Sequence, residues 1–403
     1  MEIEVIKLDD VRFLIPKKGE MRVDGLVYAS QELMEGIQKD QSLIQVANVA
    51  TLPGIMGRSL AMPDIHWGYG FPIGGVAAFD MDEGIVSPGG VGYDINCGCR
   101  LMLTNLLSED IKPILKDLVT SLFKNIPCGV GSTGAIKLNQ KELFQVTTKG
   151  ASWAVEQGFG SPEDLLHTED NGLMKDADPE VLSDRAIQRG KDQLGTLGSG
   201  NHFLEVGEVV EIYDTNVAQR FGLKVGQVTV LIHSGSRGFG HQICDDFLKL
   251  MTKNMEFPLP DRQLACAKIR SDLGKRYLSA MACAANYAWA NRQILMHYAK
   301  ETFLKTLGIS PRELGFRLLY DVCHNIAKIE SHTVGGKSLK VCVHRKGATR
   351  ALPPGHPLLP QDFQETGQPV LIPGDMGTQS FILVGAPNAL LESFSSTCHG
   401  AGR

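Results

Sequence analysis

Asp94 and Cys97 lie three residues apart in Gly92-Tyr93-Asp94-Ile95-Asn96-Cys97-Gly98, a glycine-bracketed turn able to aim a carboxylate and a thiolate at one point. A thiolate with imidazoles selects borderline metals such as zinc, and carboxylate oxygen widens the choice toward manganese or iron. The alternative is a packed cysteine in a loop. Three histidines have a similar setting: His202 in Gly198-Ser199-Gly200-Asn201-His202-Phe203, His233 in Leu231-Ile232-His233-Ser234-Gly235-Ser236-Arg237, and His324 in Asp321-Val322-Cys323-His324-Asn325. Each ends an apolar run or abuts a glycine loop, and each alone reads also as a satisfied core residue. Beside an Asp and a Cys, the three together point to a two-metal site, in which paired ions clamp the attacking and leaving oxygens of a phosphoryl group.

His399 sits in Ser395-Ser396-Thr397-Cys398-His399-Gly400-Ala401-Gly402-Arg403, among small residues that let a bulky group reach its ring. Histidine forms covalent intermediates, so this is a candidate nucleophile; the other reading is an idle histidine on a frayed terminus. Gly129-Val130-Gly131-Ser132-Thr133-Gly134 has the dinucleotide-binding spacing but follows a helical pattern and Pro127, not a strand, so that reading fails on context. No P-loop lysine motif occurs, and any nucleotide must be held by other means.

The elements that must position these residues are read from period and punctuation. Glycine is enriched, at 44 residues, and clusters in loops such as Gly68 to Gly70, Gly89 to Gly92, Gly195 to Gly200, Gly235 to Gly240 and Gly374 to Gly377. That pattern suits a site where backbone approaches a ligand closely. Helices are expected from Glu109 to Ile126, with Ile111, Leu115, Leu118, Leu122 and Phe123 on one face, and from Pro179 to Arg189, capped by Asp178. A third, long helical segment runs from about Asp261 to Leu307. Strands are expected at Gln227 to His233, at Leu339 to His344, where apolar and other residues alternate, and at Phe381 to Val384. Mixed strands and clustered helices without regular βαβ alternation indicate an α+β class, with mixed and antiparallel sheets. No internal repeat or linker divides the chain, so residues 1–403 are expected to form one catalytic domain, with about 241–310 as a mainly helical insertion.

The chain has 403 residues, 43% hydrophobic and 21% charged, with a net charge of −5, which excludes disorder, collagen and coiled coil. The stretch from Tyr277 to Asn291 lacks charges but stops at Arg292, short of a membrane span, and the acidic start is unlike a secretory peptide. The expected address is cytoplasmic. Nine cysteines without a CxxC pair are expected as reduced thiols, with Cys128, Cys244, Cys266 and Cys283 as small buried packing. The acidic balance argues against a whole surface that binds nucleic acid, leaving room for a local basic groove. His344-Arg345-Lys346 with Arg350, and Arg185, Arg189 and Lys191, are candidates for one; otherwise they are solvated surface.

Several long motifs occur in order: Pro63-Asp64-Ile65-His66-Trp67-Gly68-Tyr69-Gly70, Ser87-Pro88-Gly89-Gly90-Val91-Gly92-Tyr93-Asp94-Ile95-Asn96-Cys97-Gly98, Gly198-Ser199-Gly200-Asn201-His202, His233-Ser234-Gly235-Ser236-Arg237-Gly238, His344-Arg345-Lys346-Gly347 and Cys398-His399-Gly400-Ala401-Gly402-Arg403. Together they resemble the RtcB family of GTP-dependent RNA ligases. The resemblance implies joining of an RNA 3′-phosphate or 2′,3′-cyclic phosphate end to a 5′-hydroxyl end, in tRNA splicing and RNA repair. It implies two Mn2+ ions and GTP as cofactors, and RNA and an archease-type activator protein as partners. Carried onto this sequence, Asp94, Cys97 and His202 would hold one manganese and Cys97, His233 and His324 the other. His399 would take GMP as a phosphoramidate, with Arg237 and Arg403 at the active site. Nucleotide contacts would fall to Asn201, His202, Phe203, Leu204, Glu205, His324, Asn325, Pro373, Gly374, Asp375, Met376, Ser380, His399, Gly400, Ala401 and Gly402.

Two departures follow from the same resemblance. Members of the family continue for several tens of residues past the histidine motif, supplying a further arginine, an aromatic contact to guanine and a lysine. The expectation is a family domain without that C-terminal part, as a fragment or a natural truncation. Asp375 stands where relatives carry a small hydroxyl or similar residue, and its carboxylate would repel phosphates or recruit a cation. Two other functions remain open: a two-metal phosphohydrolase using the same ligands without His399, and a non-catalytic RNA-binding remnant.

Overall fold

The computed structural model describes residues 3–401; Gly402 and Arg403, both expected at the site, lie outside the described residues. Two sheets carry the architecture, which is mixed α+β. The larger has seven strands, in the order Ile6–Lys7, Arg12–Ile15, Gly25–Tyr28, Ile55–His66, Ile73–Asp80, Lys337–Lys346, Asn325–Val334. Its neighbours are antiparallel except for the parallel pair of Gly25–Tyr28 with Ile55–His66. The smaller is an antiparallel sheet of four, in the order Arg317–Cys323, Gly98–Leu107, Gln227–Ser234, Phe203–Glu208. The chain crosses from one sheet to the other at His324, between Arg317–Cys323 and Asn325–Val334.

Helix Asp272–Leu307 packs behind the smaller sheet. Ser271 caps it by accepting a hydrogen bond from Gly274 N at 3.1 Å, and Gly308 ends it in the left-handed conformation at φ 66°. Removing such a cap typically costs about 1 kcal/mol. From Ala280 to Met296 its residues are buried on every face, as befits a helix surrounded by protein. Its alanines at 280, 282, 284, 285, 288 and 290 leave room for close neighbours. The charge-free stretch from Tyr277 to Asn291 therefore belongs to a core helix, and among the described residues no helix is long and apolar enough to cross a membrane.

The helix begins later than Asp261, because Arg262–Leu264 forms a 3-10 turn and Ala267–Lys268 pairs with Ile85–Val86 as a short strand. The segment expected as one helix from Glu109 to Ile126 is broken at Lys112–Ile114, where Pro113 cannot donate to the preceding turn. The break shifts the helical phase, so Leu118 and Leu122 are buried while Leu115 and Phe123 face solvent. Between Pro179 and Arg189 the cap is Ser183, not Asp178. Leu182 is extended, Asp178 caps only the turn Pro179–Val181, and the α-helix is Asp184–Gly190.

Strand Gln227–Ser234 extends the expectation by one residue, and Phe381–Val384 has the expected bounds. Lys337–Lys346 is longer than expected, and its alternation ends at Val341, beyond which both faces are covered. The basic run His344-Arg345-Lys346 with Arg350 is consequently buried; it is neither a groove nor solvated surface. Glu330 receives both outer nitrogens of Arg345 at 2.8 Å, and Arg350 pairs with Asp170 at 2.8 Å and Glu169 at 3.2 Å. Arg185 and Arg189 are exposed. The cysteines are free; Cys244, Cys266 and Cys283 are buried, whereas Cys128 is exposed at the start of the Gly129 to Gly134 loop.

Candidate metal and nucleotidyl-transfer site

The smaller sheet concentrates chemistry at one edge. Two strands begin there, at Gly98 and Phe203, and two end there, at Ser234 and Cys323, as the register Gly98 with Ser234, Phe203 with His233 and Gly98 with Cys323 requires. Cys97 and His202 immediately precede their strands, His233 is the second-last residue of its strand, and His324 immediately follows its own. An antiparallel arrangement thus brings four residues, widely separated along the chain, to one point. Asp94 joins them from the turn before Cys97, whose Asn96 adopts the left-handed conformation at φ 54° that asparagine tolerates. Gly235 is needed opposite: a Cβ there would run into the Asp94 carboxylate.

The donor atoms form two groups that share Cys97. Cys97, His233 and His324 make one and Asp94, Cys97 and His202 the other, with the ligand atoms of each group within 4.8 Å of one another. Cys97 Sγ is 3.2 Å from His233 Nε2 and 3.4 Å from His202 Nε2. His233 Nε2 is 3.2 Å from His324 Nε2, and His202 Nε2 is 2.8 Å from Asp94 Oδ2. Metal bonds of about 2.3 Å to sulfur and about 2.0 Å to nitrogen place two ligands about 3.0 Å apart at a right angle and about 3.5 Å apart at the tetrahedral angle. The observed sulfur–nitrogen separations fall in that range, so the residues fit a cation.

The electrostatics agree. Burial and then neighbouring imidazoles hold His233 and His324 well below the ordinary histidine range, leaving them neutral with lone pairs available to a cation. Burial and then the Asp94 charge push the Cys97 thiol well above its ordinary range, so a cation is what would make it a thiolate. At Asp94 burial opposes ionisation, yet the adjacent His202 outweighs it and holds the carboxyl far below its usual value. His202 Nδ1 lies 3.1 Å from Leu197 O, an acceptor that orients the ring with Nε2 toward the cluster. Arg237 stands behind that ring, with Nη1 3.0 Å from His202 Nδ1, on a non-glycine residue at φ 55°. Strain of this kind persists where surrounding structure over-determines it.

His399 meets this cluster from the other side, its ring centre 4.9 Å from that of His324. It follows strand Ser396–Cys398, which pairs with Ala348–Arg350. Asp64, on strand Ile55–His66 of the larger sheet, accepts from His399 Nδ1 at 2.6 Å and from the backbone nitrogens of His399 and Gly400 at 3.0 Å each. An acceptor at Nδ1 fixes the proton there and leaves Nε2 with its lone pair. Sequence reasoning quoted Asp64 within a motif and gave it no role; that motif was the available signal.

A cavity of about 790 Å3 opens on this face, lined among others by Asp64, Asn201, His324, Asn325, His399, Gly400 and Ala401. Lys346 also lines it, its amine donating to Tyr69 O at 2.6 Å and Phe71 O at 3.0 Å, and burial pushes its pKa down to about 7. Not every expected nucleotide contact is in that lining. Glu205, Asp375, Met376 and Ser380 line a separate apolar groove, and Pro373 reaches the site only through its carbonyl, which accepts from Ala401 N at 2.8 Å. Phe203 packs edge-on against His233, and Leu204 packs into the core under the sheet. Ser380 Oγ accepts from Gly374 N at 3.1 Å. Asp375 is exposed and turns inward on its own loop, accepting from Gly377 N and Thr378 Oγ1, which lower its pKa.

Comparison with known proteins is decisive. The family model described as tRNA-splicing ligase RtcB matches residues 45–403. The chain belongs to the RtcB family. The tRNA-splicing ligase RtcB of Archaeoglobus fulgidus is 55% identical over 408 residues, covering 100% of this chain and 84% of the relative. That of Thermococcus kodakarensis is 52% identical over 401 residues, covering 98% and 83%, and that of Methanococcus maripaludis 52% over 408 residues, covering 100% and 85%. The RtcB match takes in the whole ligand-bearing edge, His399 and Asp64 alike.

Proposed function

We propose that this RtcB-family chain is an RNA ligase of tRNA splicing and RNA repair that joins a 3′-phosphate or 2′,3′-cyclic phosphate end to a 5′-hydroxyl end, using GTP and manganese. The observation that carries the reading is the His399–Asp64 pair beside the candidate two-metal cluster. A phosphohydrolase using the same ligands does not require a histidine held in one tautomer by a half-buried carboxylate. Asp94, Cys97 and His202 would hold one cation and Cys97, His233 and His324 the other; when bound, they would supply positive charge to phosphate oxygens.

His399 Nε2 attacks the α-phosphorus of GTP. The N–P bond forms, the bond to the bridging α–β oxygen breaks, and pyrophosphate leaves. The ring keeps its Nδ1 proton on Asp64 Oδ2, so the charge it gains is offset by the carboxylate, as in acid–histidine pairs generally. A 2′,3′-cyclic end must first be opened by water, which breaks the P–O2′ bond and leaves a 2′-hydroxyl and a 3′-phosphate; an oxygen of the RNA 3′-phosphate then attacks the α-phosphorus and frees the histidine. Finally the 5′-hydroxyl oxygen attacks the RNA phosphorus, its proton is lost and GMP departs. Three moderate barriers replace one high one. Arg237, Arg403 and the residues of the cavity are assigned to phosphate and nucleotide recognition, where guanidinium groups suit phosphate.

The test is the intact mass of the protein after incubation with GTP and Mn2+, with ATP as a control. A GMP-sized, acid-labile adduct is expected with GTP alone. His399→Ala should bind manganese as the parent does and form no adduct; an adduct persisting in that variant moves the nucleophile elsewhere. Cys97→Ala should lose one or both metals, and unchanged manganese stoichiometry would sink that ligand assignment.

A further inference from the structure

Arg292 lies midway along helix Asp272–Leu307 and is fully buried. Its guanidinium has five N–H donors, and all five are used. Nε donates to Asp321 Oδ2 and Nη2 to Asp321 Oδ1, at 2.8 Å each. Nη1 donates to Asn96 O at 2.7 Å and to Ser234 O at 3.0 Å, and Nη2 to Asn96 Oδ1 at 3.1 Å. These acceptors belong to three separate segments, each carrying a candidate ligand. Asn96 precedes Cys97, Ser234 follows His233, and Asp321 lies on the strand that leads to His324, three residues before it.

The partners are themselves fixed. Asp321 Oδ2 also accepts from Arg100 Nε at 2.7 Å, and Arg100 is held by Gln293 Oε1 at 2.5 Å and Thr168 Oγ1 at 3.1 Å. Asn96 is gripped through both its carbonyl oxygens, at the left-handed residue that turns the chain into Cys97. Cys97 O in turn accepts from His324 N at 2.9 Å. No other residue of the helix touches three ligand-bearing segments among the described hydrogen bonds.

We infer that Arg292 is the positioning residue of the metal centre: one planar five-donor group that holds the Cys97, His233 and His324 segments at the separations a shared cation needs. The inference rests on the metal reading given above. A lysine carries the same charge but three donors on a point, and cannot span the three segments.

The test uses the full chain with Arg292→Lys, and measures Mn2+ affinity, the thiolate-to-metal band of the Co2+-loaded protein, and thermal midpoint. Expected is a folded protein with manganese affinity about 10–100-fold weaker, the range seen when an outer partner of a metal ligand is lost. An altered cobalt band is also expected, with GMP-adduct formation partly restored by excess Mn2+. Phe303→Leu, in the same helix but away from the centre, controls for lost stability and should leave affinity unchanged. Parent-like affinity and cobalt band in Arg292→Lys overturn the inference, as does an equal loss of affinity in Phe303→Leu. Should Arg292→Lys fail to fold, Asn96→Gly removes one of the Arg292 bonds, together with the Asn96 Nδ2 bond to Ala285 O, and keeps the turn; several-fold weaker binding supports the inference and unchanged binding overturns it. If the parent itself binds neither metal, or Cys97→Ala binds like the parent, the metal reading fails instead, and the inference with it.

Discussion

One oxygen of Asp64 receives three donors at the candidate nucleophile, two from backbone and one from the His399 ring. Such a carboxylate sets tautomer, ring orientation and charge together, and losing it normally costs a positioned acid–base group about 10²–10⁴ in rate. Asp64→Asn is therefore expected to slow GMP-adduct formation on that scale while leaving manganese stoichiometry intact. Mass spectra taken over time would show it, and a rate within a few fold of the parent would remove Asp64 from the chemistry. Cys97 and the histidines were legible in the sequence because each stands beside a glycine loop or ends an apolar run. Asp64 stood in a motif but without a role, because its partner lies 335 residues away and the motif does not mark the pairing.

Among elements, the smaller sheet depends on strands that approach without side chains at its ligand-bearing edge. A Cβ on Gly98 would collide with Val322 O and come within 3.0 Å of Cys323 Cα, both on the neighbouring strand that leads to His324. Gly98→Ala must push that strand away. Overpacking of this kind costs about 1–3 kcal/mol, and here it also separates Cys97 from His324. A lowered thermal midpoint together with weaker manganese binding is expected; a loss of stability with unchanged metal affinity would mean that the edge accommodates the shift elsewhere. The apolar run at Gln227–Ser234 announced the central strand of this sheet. Strands such as Arg12–Ile15 and Gly25–Tyr28 did not announce themselves, since Arg12 and Gly25 interrupt the apolar run that marks the equally short Phe381–Val384. Pro113 showed how one missing donor rephases a helix that composition alone would have joined.

Across the whole molecule, the charges of Arg345 and Arg350, expected in a groove or on the surface, are internal, since Glu169 and Asp170 reach Arg350 from a remote segment and Glu330 faces Arg345 from the paired strand. This interior makes the protein acid-sensitive in two stages. Burial lowers His344 from 6.5 to about 4, and the ring accepts from Ser87 N at 3.1 Å in its neutral form. The unfolded chain takes up that proton near 6.5 and the folded chain does not, so stability is full above 6.5 and falls toward pH 4 by on the order of 3 kcal/mol. Despite the cost of burial, cationic partners hold Asp170 and Glu330 below their ordinary ranges, Arg350 foremost at Asp170 and Arg345 at Glu330. Their contribution is present above about pH 4.5 and is lost as acid protonates them. Thermal midpoints between pH 7 and 4, with chelator present, should decline less steeply in His344→Gln than in the parent; equal slopes would place the sensitivity elsewhere.

The strand that leads to His399 has three residues and a single three-residue partner, whereas the strand that carries His233 has eight and lies inside a sheet. Regions held by few backbone bonds open at a fraction of the global unfolding free energy. Nucleophile and cluster therefore belong to different cooperative units. In mild urea the first thing expected to disappear is the histidine's alignment, while the cluster beneath keeps its shape, and inactivation of this kind should be undone simply by removing the urea.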